Sequence, residues 1–144
     1  MEQPDFVALA GATFLPDGSV DKDKGDVLWS SLFRLPEWYF LMTPKSMAAG
    51  QPSAQMIDEK VWYLVFTDTD KLRLYATRNQ NLDESGKTLF MTMTPEMAVE
   101  FARNALNTSV YGVRFNEGQE HGWFSPMQNI PLFPDYLRAK GLYP

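Results

Sequence analysis

His121 is the one histidine among 144 residues, and there is no cysteine. Those two counts decide most of the available chemistry. Without thiols there is no disulfide, no Cys-ligated zinc, no iron–sulfur cluster and no cysteine nucleophile. A metal site made of histidines is equally excluded, and one imidazole with carboxylates is a poor zinc set. What remains for acid–base work is His121 as a general base, with Ser125 as hydroxyl nucleophile and Glu37 or Glu120 to orient the ring. No nucleophile-elbow sequence surrounds Ser125. His121 therefore reads first as a half-exposed histidine at the start of a hairpin strand, and a small hydrolase or transferase is the alternative.

Two other patterns lead away from catalysis. Gly86-Lys87-Thr88 resembles the end of a phosphate-binding loop, but the glycine that must come five residues earlier is replaced by Asn81. It also precedes a strand-like run, whereas a phosphate loop opens a helix. The acidic pairs Asp68 with Asp70 and Asp83 with Glu84 fall at a helix start and in a loop. There a carboxylate serves as cap or dipole partner. No cofactor and no metal is implied.

The elements that must position these residues follow from local signals. Residues 1–24 read as a lead-in, with Pro16-Asp17-Gly18 as a turn and a short strand allowed around Val7, Leu9 and Phe14. Asp26 is expected to cap a helix whose stripe is Trp29, Leu32 and Phe33, ended by Pro36. Strands are expected at 37–42, 61–66, 89–93, 110–115 and 121–125. Residues 43–58 read as a long loop with one helical turn near 46–49. Thr67-Asp68 supplies an N-cap for a helix running to about Arg78, and Thr94-Pro95-Glu96 opens another. Asn116 to Glu120 has a length that suits a hairpin, and a short helix closes the chain near 135–140. The fold expected is α+β: one domain over 1–144, with a single mixed, largely antiparallel sheet of about five strands and helices mainly on one face.

Strand parity then sorts the side chains. Trp62, Leu64 and Phe66 are assigned to the helix-covered face together with Trp38, Phe40, Met42, Tyr111, Val113 and Phe115. The opposite face receives Tyr39, Tyr63, Thr92 and Arg114, joined by Trp123 and His121. Tyr, Trp and Arg are the types that protein interfaces favour. Tyr39, Tyr63, Arg114 and Trp123 are thus the candidate binding residues, for a protein partner or for self-association. Core filling is the first reading for the methionines as a set, but Met56 and Met127, placed in loops, would suit an adaptable binding surface.

Composition narrows the partner class. Net charge is −5, with no basic run, so duplex nucleic acid and anionic membrane surfaces are not expected partners. The start Met1-Glu2-Gln3-Pro4-Asp5 carries acid where a signal peptide needs base, and the apolar run Phe6 to Ala12 is too short to span a bilayer. A cytoplasmic location is expected. Hydrophobic residues make up 44% and charged residues 22%, which places the chain among ordered globular domains.

Three stretches carry a family resemblance. They are Leu28-Trp29 through Leu35-Pro36-Glu37-Trp38-Tyr39-Phe40, then Val65-Phe66-Thr67-Asp68, then Tyr111-Gly112-Val113-Arg114-Phe115-Asn116 with His121-Gly122-Trp123-Phe124-Ser125-Pro126. Together they resemble bacterial SseB-like (enhanced serine sensitivity) proteins. The resemblance implies an α+β domain in a bacterial cytosol and carries over no catalytic residue. The expected function is a non-enzymatic protein-binding or regulatory domain. A secretion- or immunity-associated accessory protein is a further alternative.

Overall fold

Side-chain caps place most of the helices. In the computed structural model, which describes residues 3–144, Asp5, Asp21, Asp68 and Thr94 each accept a backbone N–H in the first turn that follows them. They open α1 (Phe6–Thr13), α2 (Lys22–Phe33), α4 (Thr69–Arg78) and α5 (Pro95–Ala105). Thr43 and Ser46 form a reciprocal capping box at α3 (Pro44–Ala48). A 3₁₀ turn, Met127–Leu132, leads into α6 (Phe133–Ala139).

Among the described residues six strands form one open sheet, one more than the sequence suggests. They are β1 (Trp38–Met42), β2 (Ala54–Ile57), β3 (Lys60–Phe66), β4 (Leu89–Met93), β5 (Gly112–Phe115) and β6 (Trp123–Pro126). The order is β4-β1-β3-β5-β6, and β2 pairs with the first half of β3. Only β3 and β5 run parallel, so the sheet is mixed and largely antiparallel, as expected.

Directly opposed residues share a face, so the registers settle the parity. Phe40 faces Val65, Tyr63 faces Val113, Val65 faces Phe115, and Phe115 faces Trp123. That face carries the larger core, sealed by α1, α2, α5, α6 and the 3₁₀ turn through Phe6, Leu28, Leu32, Ala98, Ala102, Ile130 and Leu137. On the other face Tyr39 lies opposite Phe66, and Leu64 opposite Arg114. There α4 covers Leu41, Leu64 and Phe66 with Leu72, Tyr75 and Ala76. Helices do lie mainly on one face. The expected face assignment is nonetheless corrected: Trp62, Leu64 and Phe66 share their side with Tyr39 and Arg114, away from Trp38, Phe40, Val113 and Phe115. Residues 62–66 are all buried, so apolar character alone gives no parity.

Three other expectations change. The lead-in contains a helix, α1, in which Gly11 allows the His121 ring to pack. A Cβ at Gly11 would lie 3.0 Å from imidazole atoms. The 43–58 loop contains β2, joined to β3 by Asp58 and Glu59, both at positive φ (53° and 68°). Two such residues make the tight turn whose twist suits a hairpin, but neither is the glycine or asparagine that usually signals it. Finally, Asp21 rather than Asp26 caps α2.

Asp26 faces inward, where its carboxylate accepts from the Tyr136 hydroxyl at 2.7 Å and from Lys140 Nζ at 3.0 Å. Burial pushes its pKa up, but the two hydrogen bonds and the charges of Lys140 and Lys22 outweigh it and hold the group below its ordinary 3.8. A carboxylate depressed on folding stabilises the native state above its unfolded pKa, and that contribution is lost as pH falls through the folded value. Asp26→Asn is therefore expected to melt several degrees below wild type at pH 7. Thermal scans at decreasing pH should show the gap closing below about pH 3.8. A gap of constant size would show that the charge on Asp26 contributes nothing.

Candidate functional site

Where β3 begins, beside β5 and β6, the α4 side of the sheet presents aromatic rings. Trp62 and Phe124 both project to this side, Phe124 because it opposes Arg114 in the β5–β6 register. Tyr111 precedes β5 and escapes strict alternation; its N–H donates to Val61 O at 2.8 Å. The Tyr111 and Phe124 rings lean edge-on against Trp62, with centroids 5.0 and 5.3 Å away. Trp62 itself is buried, whereas Tyr111 is 38% and Phe124 55% exposed.

Arg114 holds this corner together. Its guanidinium lies 4.5 Å from the Trp62 ring and 5.6 Å from that of Phe124. Nη2 donates to Asp58 at 3.0 Å and Nη1 to Glu117 at 3.3 Å, while Nε is buried without a partner among the described residues. The side chain is only 14% exposed. A desolvated cation over an indole, paired with carboxylates, is fixed in orientation by contacts worth about 1–2 kcal/mol. Lys60 adds a second cation, 4.1 Å from the Tyr111 ring. A hollow of about 200 Å³ adjoins Arg114 between Glu117, Gln119 and Phe124.

The four residues expected to gather on one face are divided. Arg114 is in the corner just described. Tyr39 shares its face but stands two strands away, on β1, edge-on to Phe90 at 5.7 Å, and its hydroxyl donates to Glu37 at 3.1 Å. Burial, reinforced by the Glu37 carboxylate, pushes its phenol pKa up. Tyr63 is buried on the opposite face against Phe101, 5.0 Å between centroids, and burial raises its pKa too. Trp123 is also buried there, stacked between Phe115 and Phe6. A parity slip of one residue exchanges the two faces. The exchange put Tyr63 and Trp123 in the candidate set in place of Trp62 and Phe124. In Trp123-Phe124 both positions are aromatic, so the alternation is silent; the signal that finds Phe124 is its pairing with Arg114.

The acid–base arrangement is not assembled. His121 is half exposed, and its Nε2 lies 4.0 Å from Glu120. Ser125 is buried, and its Oγ donates to Pro126 O at 2.9 Å. Glu37 accepts from Tyr39 instead. Met127 is core, whereas Met56 is largely exposed. Among the described residues, no group of three or more His, Asp or Glu side chains forms a potential metal site. No helix among them is long and apolar enough to cross a membrane. No model of a known protein family matches the chain, and a search of curated proteins finds no match.

Proposed function

We propose that the chain is a protein-binding domain without catalytic function, docking through the Tyr111–Trp62–Phe124 corner onto a second copy of itself. The observation that carries this reading is the wedge of two exposed rings braced on a buried tryptophan and a stacked arginine. Tyr, Trp and Arg supply most interface hot spots. Rings already held against a buried partner lose little side-chain entropy on docking, which favours affinity.

Charge favours a second copy as the occupant. Lys60 and Arg114 share the patch with Asp58 and Glu117, so a two-fold contact can set each sign opposite the other. The neighbouring edge strand β6 is four residues long and ends in Pro126. A short edge with proline discourages strand-to-strand extension, so the contact is one of faces. Sedimentation equilibrium tests this. The wild-type mass should rise with concentration from 16.5 kDa toward twice that value. The Tyr111→Ala/Phe124→Ser double variant, with an unchanged circular dichroism spectrum, should stay monomeric. A wild-type chain that remains at 16.5 kDa at millimolar concentration overturns self-docking.

A further inference from the structure

A second concave site lies on the other side of the molecule, where the end of α2, the start of α5, α6 and residues 142–144 meet. A cleft of about 630 Å³ shares Phe33, Pro95, Glu96, Arg138 and Tyr143 with a smaller hollow of about 190 Å³. The larger lies within the range of roughly 300–1,000 Å³ usual for small-molecule sites. Its walls are apolar, with Phe33 and Leu35 buried and Pro36, Pro95 and Tyr143 around them.

The charge is distinctive. The chain carries −5 overall, yet three of its six arginines, Arg34, Arg103 and Arg138, line these two hollows. The two side-chain carboxylates among them are already engaged. Glu96 accepts from the Tyr143 hydroxyl at 3.3 Å, and Asp135 from Arg138 Nη1 at 3.1 Å. Arg34 directs Nε and Nη2 at the Leu142 carbonyl, and Arg138 directs Nε at the main-chain oxygen of Pro144. Among the described residues no hydrogen bond occupies Arg34 Nη1, Arg103 Nη2 or Arg138 Nη2. Guanidinium groups anchored at one end, with donors to spare and apolar walls beside them, suit an anion on an apolar body.

We propose that this cleft and the smaller hollow that adjoins it, where Arg103 sits, together bind a small amphipathic anion, an aliphatic or aromatic body bearing one carboxylate, sulfonate or phosphate. The site is separate from the aromatic corner and does not depend on the docking reading. The test uses 8-anilinonaphthalene-1-sulfonate as probe. The full chain should enhance and blue-shift its fluorescence with a stoichiometry near one. Decanoate should displace it, while decanol and inorganic phosphate should not, because the site needs both the charge and the body. Arg103→Glu is the informative variant. Arg103 is exposed and, among the described residues, its side chain bonds only Glu100, so the fold does not depend on it. Its reversal should weaken the dye roughly tenfold or more, the scale of one charge-assisted contact. Phe124→Ser should leave the dye's affinity unchanged. The proposal is overturned by an absent enhancement, by an Arg103→Glu chain that binds as wild type, by displacement with decanol as effective as with decanoate, or by a signal lost in Phe124→Ser.

Discussion

Gly112→Ala is expected to be among the most damaging single methyl additions in the chain, lowering stability by about 3 kcal/mol or more. A Cβ at this position would fall 2.2 Å from the Ser125 carbonyl oxygen and 3.0 Å from the Pro126 Cα. Both obstacles are backbone, so no rotamer change relieves them. The β5–β6 pairing must open, and with it the register that sets Phe124 opposite Arg114. For a domain of this size the loss corresponds to a melting temperature lower by on the order of 10 °C. Gly50→Ala is the control. Its φ is +69° and a Cβ there meets nothing within 4 Å, so the cost is the left-handed backbone alone, about 1 kcal/mol. Paired thermal melts of the two variants separate the close approach from generic glycine effects. Equal losses would mean that β6 moves aside at no cost. If self-docking operates as proposed, Gly112→Ala should also weaken it, because the same pairing holds the exposed ring.

The features that sequence reading located well are those whose causes are local. Val61 to Phe66 is a strand because β-branched and aromatic side chains crowd a run of six residues. Thr94-Pro95-Glu96 opens α5 because a hydroxyl cap, a proline at the first position and an acid all act within one turn. What was not legible depends on contacts distant along the chain. Six apolar residues in succession give β3 no preferred side, and only its partners decide that Trp62 shares a face with Arg114. α1 is held by Phe6 stacking on Trp123 and by His121 packing over Gly11, both contacts that span more than a hundred residues. β2 depends on a turn that Asp58 and Glu59 make at positive φ without glycine. The candidate surface inherits this division. Arg114 was identifiable as an interface residue by type, but its companions were decided by register. The one-residue shift exchanged Tyr63 and Trp123, which are core, for the rings that reach solvent.

Asn116 is the second position where a single change should have a large effect, and its cause can be divided among variants. It follows β5 directly, is fully buried, and adopts φ 52°. Its Oδ1 accepts from the Thr67 backbone N–H at 3.0 Å, and its Nδ2 donates to Thr67 Oγ1 at 3.1 Å. The Asn116 N–H in turn donates to Val65 O at 2.8 Å. One side chain thus closes the ends of the two parallel strands just before Asp68 caps α4. Asn116→Ala leaves the buried Thr67 N–H without an acceptor, which costs about 1–3 kcal/mol. It also places a non-glycine residue in the left-handed region without asparagine's local tolerance of it, for about a further 1 kcal/mol. Asn116→Gly removes the same hydrogen bonds but adopts the backbone freely. It should therefore recover about 1 kcal/mol relative to Asn116→Ala and no more. Asn116→Asp keeps an acceptor for Thr67 N–H, loses the donor to Thr67 Oγ1 and buries a carboxylate. Its deficit should shrink as pH falls, because protonation removes the buried charge and restores an O–H donor. Chemical denaturation of the three variants at two pH values tests this. Equal stability of Asn116→Ala and wild type would show that the Thr67–Asn116 closure does not join the strand ends. An Asn116→Gly chain as stable as wild type would assign the whole effect to the backbone.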